Sequence, residues 1–203
     1  MSTEKTCASF YRYESYRYTA LYSLETIDMA PGTNRITLRL PKSTLDELKK
    51  EANEKDLPLS SLIVKILNKN VSFDRRYKSI PTIIMSQNLF LTIIDSMDES
   101  MMQKIAKMGP KTVKKLCAIS GWKYDIDSII DNYFVTLAKY CSWFRFKHEV
   151  NHTNYRLVFE TNMGERWTKF LSLYVRSILE SLKIHIDDES VDDGVIIFKF
   201  VKR

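Results

Sequence analysis

The chain has 203 residues, 44% hydrophobic and 12% aromatic, and carries a formal net charge of +6. That is enough for one large domain or two smaller ones with a real core, and no run of about 18 apolar residues is present to span a membrane as a helix. With only five glycines the sequence contains no GxxxxGK[ST], GxGxxG or GxSxG, which excludes the common nucleotide cradles and the serine-hydrolase elbow; no enzyme is expected.

Residues 1–33 are polar and aromatic, with five tyrosines from Tyr11 to Tyr22 and a Pro31-Gly32 break. The alternations Tyr11-Arg12-Tyr13 and Tyr16-Arg17-Tyr18 suit stacking on bases or joining a strand pair. The plainer expectation is a flexible N-terminal arm. It has no apolar h-region, so it is not read as a secretory signal. Cys7, Cys117 and Cys141 are scattered and no CxxC occurs, so neither a disulfide framework nor a zinc site is expected. The profile is that of a cytoplasmic protein, and its positive charge leans toward nucleic acid or an acidic partner.

Residues 34–72 read as one strand and two helices. Arg35, Thr37 and Arg39 alternate with Ile36, Leu38 and Leu40, so one face is basic and hydrogen-bonding and the other apolar. Pro41 ends the run, and two helical patterns follow, split by Leu57-Pro58-Leu59. A lone strand cannot satisfy its own backbone groups. Antiparallel pairing with the same strand of a second copy would satisfy one edge and display both polar faces on a two-stranded ribbon backed by helices. A ribbon of that kind fits the major groove of B-DNA, where arginine bonds guanine bidentately and threonine reaches a base edge or a thymine methyl.

Phe73 to Pro81 is short, basic and ends in proline, and is expected to be a linker. Residues 82–139 are expected to be mostly helical, with a capping pattern Ser96-x-x-Glu99, a break at Met108-Gly109-Pro110, a further helix to Ile119 and another from Asp127 to Tyr140. Trp143 to Val150 then alternates with period two, placing Phe144, Phe146, His148 and Val150 on one side. Asn151 to Asn154 is a turn cluster, and Tyr155 to Glu160 alternates again. A long amphipathic helix carries Trp167, Phe170, Leu171, Tyr174, Ile178 and Leu182 on one stripe. A second hairpin closes the chain, from Lys183-Ile184-His185-Ile186-Asp187 through an acidic turn, Asp187 to Gly194, to Val195–Val201. Residues 82–203 are thus expected to form a helical segment leading into a β-β-α-β-β domain, and the whole chain to be α+β.

Within this part His148 reads as a core histidine and His152 as a solvated turn residue. No carboxylate or cysteine spacing makes the pair a metal site, and none is expected. The acidic run from Asp187 lacks EF-hand spacing and reads as a hairpin turn rather than a calcium loop. Lys104 to Leu116 resembles a helix-hairpin-helix motif without its second glycine, where Lys107 stands; a lysine-rich solvated helix face is the plainer reading.

The segment 34–70 resembles the ribbon-helix-helix DNA-binding family of the MetJ/Arc type. The resemblance rests on the alternating strand ending at Leu40-Pro41, the first-helix apolar positions Leu45, Leu48 and Ala52, and the turn into Leu59-Ser60-Ser61-Leu62-Ile63. It implies base contacts by Arg35, Thr37 and Arg39, and a phosphate anchor at Leu59, Ser60 and Ser61 on the second helix N-terminus. It also implies a dimer core of Ile36, Leu38, Leu40, Leu45, Leu48, Leu62, Ile63 and Ile66. Asp56 stands where the family often has glycine, and Pro58 where a serine or threonine cap is usual. The stretch His148 to Leu182 resembles C-terminal domains that archaeal regulators join to a ribbon-helix-helix domain.

The expected function is a sequence-specific, dimeric transcription regulator, a repressor by occlusion, with double-stranded DNA and a second copy of itself as partners. Residues 82–203 would oligomerise, up to a tetramer, or sense a small-molecule effector, without cofactor. The alternative is an antitoxin-type autoregulator whose C-terminal part binds a partner protein.

Overall fold

The computed structural model describes residues 34, 36–78, 80 and 83–202. The N-terminal arm, Arg35 and the end of the expected linker lie outside them. The chain divides into two compact units, Met1–Leu45 and Asp46–Arg203. In the first, Ile36 to Leu40 pair with no strand among the described residues, and Lys42 opens helix α1 (Lys42–Glu54), which runs on into the second unit.

The second unit is α+β. Helix α2 (Leu59–Lys69) does not end where a linker was expected. It passes through a π-helical turn (Asn70–Asp74) into α3 (Arg75–Tyr77). The aromatic pair Phe73 and Tyr77, four residues apart with ring centroids at 4.3 Å, accounts for this, since both lie on one helix face. Phe73 also meets Tyr140 at 5.3 Å, and the hydroxyls of Ser72 and Tyr140 are 3.0 Å apart, so the basic stretch is docked rather than tethering.

Helices α4 (Gln87–Ser96), α5 (Glu99–Ala106) and α6 (Gly109–Ser120) follow. The cap of α5 is Asp98, not Ser96; its carboxylate accepts from the Met101 N–H at 2.7 Å. Helix α6 starts at Gly109 itself, with Pro110 in the first turn, where a missing N–H costs nothing. Helix α7 (Ile126–Ile129) is capped by Asp125 and continues through a second π-helical turn (Ile130–Phe134) into α8 (Val135–Tyr140).

Strands β1 (Arg145–Asn151) and β2 (Asn154–Glu160), helix α9 (Glu165–Ser181), and strands β3 (Asp188–Asp192) and β4 (Val195–Val201) complete the β-β-α-β-β order. All pairings are antiparallel, and the sheet order is β1-β2-β4-β3. The second hairpin is shifted from the sequence reading. The acidic run itself forms β3, and the turn is only Asp193-Gly194, with φ of 36° and 79°. Two consecutive left-handed residues make the tight type I′ turn that matches strand twist. The acidic strand is tolerated because Asp188 pairs with Lys199 at 2.8 Å and Glu189 with Arg176 at 2.5 Å.

The inner sheet face presents Tyr155, Leu157, Phe159, Ile196, Phe198 and Phe200, all buried. Phe134 meets Phe159 edge-on at 5.2 Å, so the α7–α8 segment covers β1–β2. Helix α9 lies against β3 and β4 on one side and against α4, α5 and α6 on the other. Of its expected stripe Trp167, Phe170, Leu171, Tyr174 and Ile178 are buried together with Leu179, while Leu182 falls just past the helix end and is half-buried. Gly109 lets α6 approach closely, since a Cβ there would meet the Tyr174 ring at 2.7 Å. Among the described residues no helix is long and apolar enough to cross a membrane.

Candidate nucleic-acid interface

In the first unit, Thr37 and Arg39 are exposed, and so are the three residues between and beside them: Ile36 is 66% exposed, Leu38 50% and Leu40 39%. Three branched apolar side chains in five residues stand in water. Full burial of each is worth about 1.5–3 kcal/mol, so the segment gains strongly from any surface that covers it. Leu45 is half-buried.

In the second unit, Leu48 is half-buried and Ala52 buried on α1, three and seven residues beyond Leu45, as the helical period requires. The helix ends in a Schellman pattern. The Leu57 N–H donates to the Ala52 carbonyl at 2.9 Å and the Asp56 N–H to the Asn53 carbonyl at 3.2 Å. Asp56 sits at φ 50°, the left-handed position that this motif reserves for glycine. The departure seen in the sequence therefore falls on the one backbone angle that makes glycine useful there.

Pro58 precedes α2 with φ −58° and ψ 139° and supplies no side-chain cap. The first N–H groups of a helix have no intrahelical acceptor. Those of Leu59, Ser60 and Ser61 therefore carry the positive end of the helix dipole without a competing side-chain oxygen. Ser60 is exposed, while Leu59 and Ser61 are half-buried.

The apolar residues of α2 do not share one fate. Leu62 is only 4% exposed within the single chain. Ile63 is half-buried and Ile66 is 44% exposed. Val64 at 54%, Leu67 at 44% and Val71 at 56% form a further exposed stripe, at i, i+3 and i+7. The spacing was visible in the sequence. Which of two overlapping stripes stays uncovered was not.

Elsewhere the expected candidates dissolve into structure. His148 is exposed and stacks on Phe146 at 5.5 Å rather than entering the core, because β1 is an edge strand. His152 is exposed in its turn at φ 57°. Among the described residues no group of three or more His, Cys, Asp or Glu side chains is placed to hold a metal ion. Burial pushes the Cys141 thiol up to about 11 and raises that of Cys117 as well, so neither is a ready nucleophile.

Residues 3–70 match the family model described as CopG antitoxin of type II toxin-antitoxin system. No curated protein matches the chain. The matched span starts well before residue 34 and takes in the tyrosine-rich segment expected to be an arm. Residues 3–70 are therefore similar to a CopG-type domain, a likeness that ends with α2 and does not reach the sheet.

Proposed function

We propose that the protein is a sequence-specific DNA-binding regulator that works as a dimer, with the Arg35–Leu40 segments of two copies paired into a ribbon in the major groove. The observation that carries this reading is the exposure of Ile36, Leu38 and Leu40 beside the polar residues Thr37 and Arg39 in the span that resembles a CopG-type domain. Apolar residues repeated on one side of a short segment need a cover, and a second copy supplies it while turning the polar side outward. Thr37 and Arg39, with Arg35, then read base edges, and the start of α2 anchors a phosphate. Bound across a promoter, such a dimer represses by occlusion. The α+β body would oligomerise or sense an effector.

A second reading is favoured by the matched family's own description: an antitoxin, whose body engages a partner protein while the CopG-type part autoregulates. The extensive core of the second unit supports a preformed docking body rather than a tail that orders on binding.

Fluorescence anisotropy on the promoter of the protein's own gene and on a scrambled duplex, across a salt series, tests the first reading. A preference of tenfold or more, about 1.4 kcal/mol, that vanishes in the Arg35→Ala/Thr37→Ala/Arg39→Ala protein supports it. Equal preference in the triple variant would sink it. For the second reading, the neighbouring open reading frame should arrest growth alone and not when co-expressed with this chain.

A further inference from the structure

We propose that the outward face of α6, with the α3 edge beside it, is a second, sequence-independent binding surface for the phosphate backbone of duplex DNA. It does not depend on the ribbon reading, because the residues and the measurement are different.

The segment Met101 to Tyr124 contains six lysines and no aspartate or glutamate. All six are exposed. On α6 the inward positions are Gly109, Val113, Leu116 and Cys117, which places Lys111, Lys114 and Lys115 together on the opposite side. Lys111 and Lys115 are one turn apart, about 6 Å along the axis, close to the rise of two phosphates on one DNA strand at about 3.4 Å each. Arg76 of α3 lies beside the end of α6, its guanidinium 4.8 Å from the Trp122 ring.

The carboxylates nearest in the chain are committed elsewhere. Glu99 pairs with Lys169 at 2.7 Å, and Asp98 and Asp125 accept backbone N–H groups at the starts of α5 and α7. Among the described residues none of the six lysines, nor Arg76, forms an ion pair. The outer sheet face is built the opposite way. There Glu160 takes Arg145 and Lys147, Glu149 takes Arg156, and Asp188 takes Lys199. A merely solvated helix face needs no such segregation of charge.

The aromatic residues decide which nucleic acid fits. Trp122 is covered by Arg76, and Tyr124 by Lys114 at 5.0 Å while its hydroxyl meets Ser181 at 2.5 Å. Neither ring is open for a base to stack on, as a single-strand binder requires. What remains on offer is positive charge, and the ligand that needs only that is the duplex backbone.

The test uses the full chain with Lys111→Gln/Lys114→Gln/Lys115→Gln, the matching triple Arg variant, and a scrambled duplex in a salt series. The Gln variant should show a slope of log affinity against log salt shallower by about 2 to 3, one unit or slightly less per phosphate contact, and the Arg variant should restore it. Thr37→Ala/Arg39→Ala should change only preference between promoter and scrambled duplex, so failure of the ribbon reading leaves this slope intact. An unchanged slope in the Gln variant, or no binding of the wild-type protein at low salt, overturns the proposal. So would loss of polyglutamate binding with DNA binding intact, which would assign the surface to an acidic protein.

Discussion

Helices α2 and α9 are built from similar material and end up in opposite situations. Six of the eleven residues of α2 are apolar, as are eight of the seventeen in α9. Helix α9 is sandwiched between the sheet and α4–α6 and buries nine residues, while α2 buries Leu62 alone. A helix as apolar as α2 with Val64, Ile66 and Leu67 in water has not finished its packing in one chain. Amphipathic pattern therefore says that a face will be covered, and only the surroundings say whether the same chain or another copy covers it.

The most severe way to break the contrast is to attack the finished side. Leu171→Ala, at a position with no exposed surface, should cost about 2–5 kcal/mol in urea unfolding through the cavity it leaves. A loss below about 1 kcal/mol would mean that α9 is not the organising helix. Gly109→Ala should follow at about 1–3 kcal/mol, since the new Cβ must displace the Tyr174 ring and the hydroxyl that meets Tyr133 at 2.5 Å.

On the unfinished side, Leu67→Asp should leave folding of the α+β body unchanged and weaken self-association at least tenfold, about 1.4 kcal/mol, in sedimentation equilibrium. An unaltered dissociation constant would show that no second copy covers α2. Asp56→Gly, at φ 50°, should raise stability by about 0.5–1 kcal/mol by relieving a left-handed non-glycine residue; a destabilised protein would contradict the Schellman geometry.

The smallest effect belongs to the outer sheet face. A hydrogen bond from Lys147, with the charges of Lys147 and Arg145 adding to it, outweighs burial and holds the Glu160 carboxyl below its ordinary 4.5. A lowered carboxylate favours the folded state above its unfolded value and stops doing so as pH falls through the folded one. Glu160→Gln should thus cost under about 1 kcal/mol at pH 7, because both cations are largely exposed. That difference should shrink below pH 4.5 in pH-dependent thermal melts. A gap that is constant down to pH 3 would exclude the ion pair as its source.

Much of the architecture was written in local pattern. Alternation at Phe144–Val150 and Tyr155–Glu160, and the apolar stripe from Trp167 to Leu182, specify a hairpin and a helix whatever surrounds them, because side-chain periodicity is a property of the backbone. Tertiary structure decided what pattern alone leaves open. Phe73 found Tyr77 and Tyr140, and a stretch with the composition of a linker became helix. Two left-handed residues at Asp193-Gly194 set the register of the last hairpin and drew an acidic run into a strand, where Lys199 and Arg176 neutralise it. Leu62 was taken inside while Val64, Leu67 and Val71 were left in water. The contacts of Phe73 with Tyr140 and of Glu189 with Arg176 join residues well apart in the chain, which sequence order does not contain.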